Sequence, residues 1–299
     1  MEEIARTRLN VDAVESFAVF SDSMNFSVAA KRLHISQPAL HVKIRKLAEQ
    51  LDLPLYQRRG RTLLLTPHGE SVARFGREIL EQTTGFVRTL KGETGTERLV
   101  LAAGEGACLY LLGGGVRRFL RPAHAKLQVL TRDRDGALDA VRMGRAHLGV
   151  APLETVSPDI EAHVLTGVGQ MLVVPHAHPL AKRRRLELKD LHGAELIVPP
   201  EDRPHRQLLA RLLQSAQVPW TVAMEARGWE LTLRFVQMGL GVAVTNACCT
   251  LPRGLKGIPI PALPMLRYHA FHLKDAARNP LLRKLVADLV HHADDWKAR

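Results

Sequence analysis

Phe26-Ser27-Val28-Ala29-Ala30-Lys31-Arg32-Leu33-His34-Ile35-Ser36-Gln37-Pro38-Ala39-Leu40 is the stretch that decides the fold. Ala29, Ala30 and Leu33 fall on one side of a short helix, with Ser27 placed to cap it. Leu33-His34-Ile35 reads as a tight turn. Ser36 then caps a second helix, and Pro38 sits in its first turn, where a missing N–H costs nothing. Leu40, Ile44, Leu47 and Leu51 follow at i, i+4, i+7 and i+11, so one face of this helix is core. Upstream, Val11, Val14, Phe17, Ala18 and Ser21 form the stripe of another helix. Two short helices, a three-residue turn and a basic second helix make a helix-turn-helix.

The flanking sequence extends this reading. Asp52-Leu53-Pro54 ends the helix. Leu55-Tyr56 and Thr62 to Leu65 read as two short strands around Arg58-Arg59-Gly60-Arg61, a basic wing suited to a phosphate backbone. Ser27 to Leu65 holds eight Lys and Arg against two acids, half of the chain's excess. At 100° per residue the core stripe leaves Pro38, Val42, Arg45 and Glu49 facing outward, with His41 and Lys46 on the flanks.

The quoted run resembles the LysR-type transcriptional regulators. So do Leu53-Pro54-Leu55-Tyr56-Gln57-Arg58 and Leu65-Thr66-Pro67-His68-Gly69. The similarity continues more loosely to the C-terminus. It implies that the second helix of the motif enters the major groove. Gln37 would pair with an adenine edge or a phosphate, and Pro38 and Val42 would touch thymine methyls. Ser27, Ser36, His41, Lys43, Arg45, Lys46, Arg58, Arg59 and Arg61 complete the expected DNA-binding set. Relatives commonly carry Ser at position 41 and often Arg at position 42. Val42 therefore shifts the expected half-site preference away from a guanine contact.

Residues 67–92 read as one helix of roughly 39 Å. Val72, Ile79 and Phe86 recur every seven residues, with Phe75, Thr83 and Leu90 between them, a seam suited to pairing with a second copy. Gly76 and Gly85 would weaken or bend this helix. Gly92 to Thr96 reads as a hinge.

Beyond residue 97, short apolar strands alternate with helices, an α/β texture. The fold class expected is α + α/β: an N-terminal winged helix-turn-helix (1–65), a long linker helix and hinge (66–96), and a C-terminal α/β domain (97–299). The resemblance makes the last a two-lobed, periplasmic-binding-protein-like domain, with one lobe of 97–164 and 265–299 and the other of 165–264. A small-molecule effector is expected at strand ends and helix N-termini between the lobes. Those ends carry Gly104, Glu105, Gly106, Ala107 and Cys108; Thr131 and Arg132; Pro200, Arg203 and His205; Gly228 and Trp229; and Thr245 and Asn246. Helix N-termini and Arg favour an anion such as a carboxylate. Glu105 asks for a donor as well, or for a salt bridge to Arg132 or Arg203.

Composition bounds the remaining classes. The 299 residues carry 42 Lys and Arg against 30 Asp and Glu, a net charge of +12 that favours anionic partners. The three cysteines, Cys108, Cys248 and Cys249, cannot build a disulfide framework, which suits a reducing compartment. Met1 to Asn10 carries Glu2 and Glu3 and no apolar core, so no secretory signal is expected and the location expected is cytoplasmic. Leu99 to Val116 is broken by glycines and Glu105, so no membrane span is expected. Neither a P-loop nor a Gly-x-Ser-x-Gly elbow is present, and no catalytic residue, cofactor or metal is expected. His176-Ala177-His178 and His291-His292 read as ordinary loop and helix residues.

The function expected is therefore a DNA-binding transcriptional regulator, not an enzyme. It would bind an interrupted inverted repeat in promoter DNA as a homodimer or homotetramer, and contact RNA polymerase if it activates. Two other readings stay open: a thiol redox-responsive regulator of the same fold, and a small-molecule-binding protein without regulatory DNA binding.

Overall fold

The computed structural model describes residues 9–60, 62–90, 97–121 and 125–297. Arg61 and the expected hinge at 92–96 lie outside the described residues. Two compact units emerge, one of Met1–Ala102, Pro122–Leu130 and Asp135–Gly149, the other of Ala103–Arg121, Thr131–Arg134 and Val150–Arg299.

The first unit opens with α1 (Val11–Ser23), α2 (Phe26–Arg32) and α3 (Gln37–Leu51). Each helix begins on a polar cap. Asn10 Oδ1 accepts from Ala13 N–H at 3.2 Å, Asn25 Oδ1 from Val28 N–H at 3.1 Å, and Ser36 Oγ from Ala39 N–H at 3.2 Å. Asn25, rather than Ser27, caps α2. The cap lies two residues earlier than expected because Asn25 is the residue with extended backbone, while Ser27 is already helical. His34 turns the chain with φ 54°, and Asp52 ends α3 with φ 52°. Phe17, Phe20, Leu40, Ile44 and Leu47 are buried together, and Phe26 and Tyr56 close the cluster by ring contacts on Phe20. The wing is an antiparallel hairpin of β1 (Tyr56–Arg59) and β2 (Thr62–Leu65), with Tyr56 opposite Leu65. Gly60 turns it at φ 63°.

The long helix α4 (Pro67–Leu90) returns onto α1. Thr66 sets its start: the hydroxyl donates to Pro54 O at 2.6 Å and accepts from Gly69 N–H at 3.0 Å. Ala73 is buried, and a Cβ on Gly76 would lie 2.7 Å from Val14 O. Gly76 therefore permits close helix packing, and the expectation that it weakens the helix gives way to that role. Val72 and Ile79 pack against the winged-helix core. Both stay only partly buried there, and a seven-residue repeat marks an apolar face without saying which neighbour covers the rest of it. Phe75 and Leu90 remain exposed, at 49% and 70%, and Thr83 is exposed as well. Phe86 belongs to the helix, but its side chain lies outside what the structure describes. Farther along, Arg74 donates to Arg142 O at 3.1 Å, and Arg77 donates to Ser21 Oγ and Asp22 at 2.7 Å.

One sheet has the order β4-β3-β5-β12-β6, built from β3 (Glu97–Ala103), β4 (Ala125–Thr131), β5 (Leu148–Pro152), β6 (Ile160–Val168) and β12 (Leu266–Leu273). A second has the order β10-β7-β11, with β7 (Gln170–Pro175) central between β10 (Ala243–Asn246) and β11 (Leu255–Pro259). Strand β7 is buried along most of its length, as its run Gln-Met-Leu-Val-Val requires. Strands β8 (Ala194–Val198) and β9 (Trp220–Glu225) pair in parallel. The helices of this part are α5 (Glu105–Tyr110), α6 (Gly113–Phe119), α7 (Arg134–Arg142), α8 (Pro204–Ser215), α9 (Trp229–Gln237) and α10 (Pro280–Lys297). No helix among the described residues is long and apolar enough to cross a membrane.

Candidate nucleic-acid interface and ligand site

Helix α3 buries Leu40, Ile44 and Leu47, and this fixes what it shows outward. Ser36, Gln37, Pro38, His41, Val42, Arg45 and Lys46 are all exposed. Val42 is a large apolar residue left 42% exposed at the middle of that face. Ser27 Oγ donates to Gln37 Oε1 at 2.9 Å. This contact between the two helices holds the Gln37 amide with its NH2 group free to donate outward, while one lone pair of Oε1 stays open. The His41 ring stacks on Phe26, with centroids 3.5 Å apart and planes at 16°. Its face is used in packing, so only its edge is left for a partner.

The cations are not equivalent. Lys43 Nζ lies 2.7 Å from Asp12 and is largely covered, so its charge is spent within the unit. Arg45 pairs loosely with Glu49 at 3.5 Å, one helical turn on. Lys46 and Arg59 are exposed. Arg58 Nε donates to Gly60 O at 3.0 Å, so its stem braces the wing turn and the rest of the guanidinium stays available.

The second unit gathers most of the expected ligand residues. Gly104 caps α5 from extended backbone, and Arg132 N–H donates to Ala103 O at 2.9 Å. Gly106 is buried against Trp229: a Cβ there would meet the indole at 2.8 Å. The Glu105 carboxylate sits over Gly228, just before the start of α9, where the helix dipole favours an anion. The His205 ring meets Trp229 edge-on, with centroids 5.2 Å apart. Glu105, Gly106, His205, Gly228 and Trp229 thus form one cluster. Ala107 is buried beneath it and Cys108 is half-buried.

Thr245 and Asn246 end β10 in a second, buried group. Asn246 Nδ2 donates to Tyr268 OH at 3.2 Å. Cys249 belongs to the apolar cluster that also receives Tyr110 and Trp229. Tyr110 and Tyr268 escape the sequence reading because an isolated tyrosine in a helix or strand carries no local signal. Burial, and then Cys249 and two glutamates, push the Tyr110 hydroxyl up to about 12.

Arg203 is paired with Asp133 at 2.6 Å, and Arg132 Nη1 donates to the carbonyl of Thr131. Of the alternatives open to Glu105 (a ligand donor, Arg132 or Arg203), the Arg203 one is taken up instead by Asp133, brought close by folding. Pro200 accepts from Arg203 N–H at 3.0 Å and so shapes the turn into α8.

Several polar atoms here are buried with no hydrogen-bond partner among the described residues: both ring nitrogens of His205, Asn246 Oδ1 and Arg206 Nη1. Thr245 Oγ1 has no partner stronger than the Cys249 thiol. Burial lowers the His205 pKa to about 4, so the ring is neutral at pH 7. Arg206 lies over Trp220, 4.3 Å from the ring centroid.

The cysteines are all free thiols. Burial raises the Cys108 thiol above its ordinary value. Cys249 is raised by its hydrogen bond to Cys248 and by burial, and Cys248 is lowered as the acceptor of that bond.

Residues 11–70 match the model of the bacterial regulatory helix-turn-helix protein, lysR family, and residues 92–294 match the LysR substrate binding domain. The second match alone spans more than half of the chain. This chain belongs to the LysR family of transcriptional regulators. As a LysR regulator it binds DNA through the helix-turn-helix and carries an effector-binding domain. An uncharacterized HTH-type transcriptional regulator of Escherichia coli, YbhD, is 25% identical over 96% of this chain and 93% of its own. Full-length OxyR from Pseudomonas aeruginosa superposes with a TM-score of 0.68 at 20% identity, covering 94% of this chain and 95% of that one. Full-length CbnR, solved in complex with its target DNA, gives 0.57 at 20% identity over 95% of this chain and 99% of its own. At these identities the two solved structures show that this LysR regulator shares their fold.

Proposed function

We propose that this regulator reads an interrupted inverted repeat at a promoter, as a dimer or tetramer, and answers to a small polar molecule bound in its C-terminal domain. The winged helix-turn-helix of 1–65 reads the DNA, the helix and hinge of 66–96 join copies, and 97–299 bind the effector. Within that last part the two lobes are 97–164 with 265–299, and 165–264. Membership of separate sheets supports this division, since β3 to β6 and β12 form one sheet while β7 to β11 form others. A protein acting on promoter DNA works in the cytoplasm, and RNA polymerase is its further partner if it activates.

The observation that carries the DNA reading is the Ser27–Gln37 hydrogen bond beside an exposed Val42. It presents an oriented amide and an apolar contact on a helix whose other face is core. Ser36, Pro38 and His41 flank that amide, Arg45 and Lys46 face phosphates, and Arg58 and Arg59 do so from the wing. Lys43 is the least supported of the set, since its ammonium already pairs with Asp12. The regulator's own upstream DNA tests this reading, with a scrambled control, across a salt series. A protected inverted repeat bound far above the control is the expected outcome, and equal binding to both would overturn it.

Two substitutions sharpen the test. Gln37→Ala weakens specific binding by about 1–3 kcal/mol and leaves non-specific binding largely intact; an equal loss on both DNAs would remove its base contact. Arg58→Ala weakens binding to every sequence and lowers the salt slope by about one; an unchanged slope would take it out of the phosphate contacts.

For the effector, the unpaired buried atoms of His205 and Asn246, with Thr245 Oγ1 held only by a thiol, support a ligand with both donor and acceptor groups, since buried polar atoms are normally satisfied. Gly106 lets the Trp229 indole pack closely and Gly228 does the same for the Glu105 carboxylate, so Trp229 and Glu105 are the flat and the charged groups placed beside His205. Arg203 is matched by Asp133, so it offers an anion less than its charge suggests. A ligand screen read by Trp229 fluorescence tests this, with His205→Phe as the variant that should lose the response. Free thiols with Cys108 raised by burial give the redox reading less support.

A further inference from the structure

Glu161, His163 and His272 lie far from the ligand cluster in sequence and play no part in the function proposed above. Strands β6 and β12 pair antiparallel, with His272 opposite Glu161 and Ala270 opposite His163. Glu161 and His163 are two residues apart and so project from the same face of the sheet. His272 projects from that face too, beside one of them and diagonal to the other, within reach of both. One ligand atom from each residue lies within 4.8 Å of the others. His163 Nε2 is 3.4 Å from Glu161 Oε1. That is about the ligand-to-ligand separation around a tetrahedral ion with bonds of roughly 2.0–2.1 Å. The two imidazole rings are 5.6 Å apart between centroids.

The buried member is already oriented. His272 is 3% exposed, and its Nδ1 is 2.8 Å from Leu273 O. A carbonyl only accepts, so Nδ1 carries the proton and Nε2 keeps its lone pair. A backbone carbonyl on the far nitrogen is how metal-binding histidines are commonly held. His163 and Glu161 are half exposed, and β6 is an edge strand, so an ion can enter from solvent.

We propose that Glu161, His163 and His272 form a binding site for a borderline divalent transition ion such as Zn2+, clipping edge strand β6 to β12. Two imidazoles and one carboxylate suit Zn2+ over Mg2+ or Ca2+, which prefer all-oxygen shells. Three protein ligands leave a fourth position for water. Nothing local marks this site, because Glu161-Ala162-His163 is a bare alternation and the third ligand is more than a hundred residues later.

The test uses the full chain without an affinity tag. Co2+ titration should give the visible d–d bands of a low-coordinate ion, saturating at one equivalent, and Zn2+ should displace it. Competition against a chromophoric chelator gives the Zn2+ affinity. His163→Gln and Glu161→Gln sit at the exposed rim and should fold normally. Each should lower that affinity by at least about tenfold. Zn2+ should also raise the melting temperature of the unaltered chain, because the ion binds only the folded state, and should fail to do so in His163→Gln. His272→Gln is a second variant, read only where circular dichroism shows native structure. An absence of d–d bands would overturn the proposal. So would one bound equivalent that neither rim substitution weakens, since the metal would then sit elsewhere, as at His176 and His178.

Discussion

Replacing Gly69 with alanine lowers the stability of the winged-helix unit by about 2–3 kcal/mol. Two effects oppose each other. Alanine is favoured over glycine inside a helix by about 1 kcal/mol. Against that, a Cβ on Gly69 would stand 1.8 Å from Leu55 O, which is backbone and cannot rotate away. The same carbonyl accepts from Thr66 N–H at 3.1 Å, so moving it also strains the bond that positions the head of α4. The steric cost exceeds the propensity gain. Gly113→Ala is the control: its Cβ would meet nothing within 4 Å, so only the helix gain remains. Urea unfolding of both variants decides the matter. A Gly69→Ala protein as stable as the parent would mean that α4 shifts freely against Leu55, and that the tight contact has no structural weight.

The second large effect is acid sensitivity centred on His205. Its pKa is lowered from 6.5 to about 4 by burial. Below pH 6.5 the unfolded chain takes up a proton that the folded ring refuses. Stability contributed by this residue is therefore complete above about pH 6.5, falls as the pH drops, and levels off near pH 4. The full span is at most about 3 kcal/mol, from roughly 1.4 kcal/mol per pKa unit. His205→Gln removes the titration, so the difference in urea midpoint between parent and variant should shrink on going from pH 7 to pH 4.5. The other histidines and the carboxylates are common to both proteins and cancel. Parallel stability profiles would show that the ring reaches water or a partner, and would also weaken His205 as a ligand contact.

The extent to which the sequence announced this molecule differs between its halves. The helix-turn-helix is local chemistry. Ser36 as a cap, Pro38 in the first turn, and the spacing of Leu40, Ile44 and Leu47 act within a few residues, and the structure places them as read. The family could be recognised for the same reason: its motifs are short and ordered.

Tertiary structure alone decided what each surface faces. The heptad of Val72 and Ile79 marks an apolar face, and only the folded chain shows that part of it lies against the winged-helix core. Gly76 looks like a helix weakener until the carbonyl of Val14 is found against it, and nothing local marks Gly69 until Leu55 O is found there. Lys43 and Arg203 are paired by Asp12 and Asp133, partners that lie far from them in the sequence. The grouping of His205 with Trp229, and of Glu161 and His163 with His272, brings together residues on separate elements. Periodicity and capping act over a few residues and can be read along the chain. Neutralisation of a charge, the partner of an apolar face and the assembly of a binding site depend on distances in space, which a linear sequence does not display.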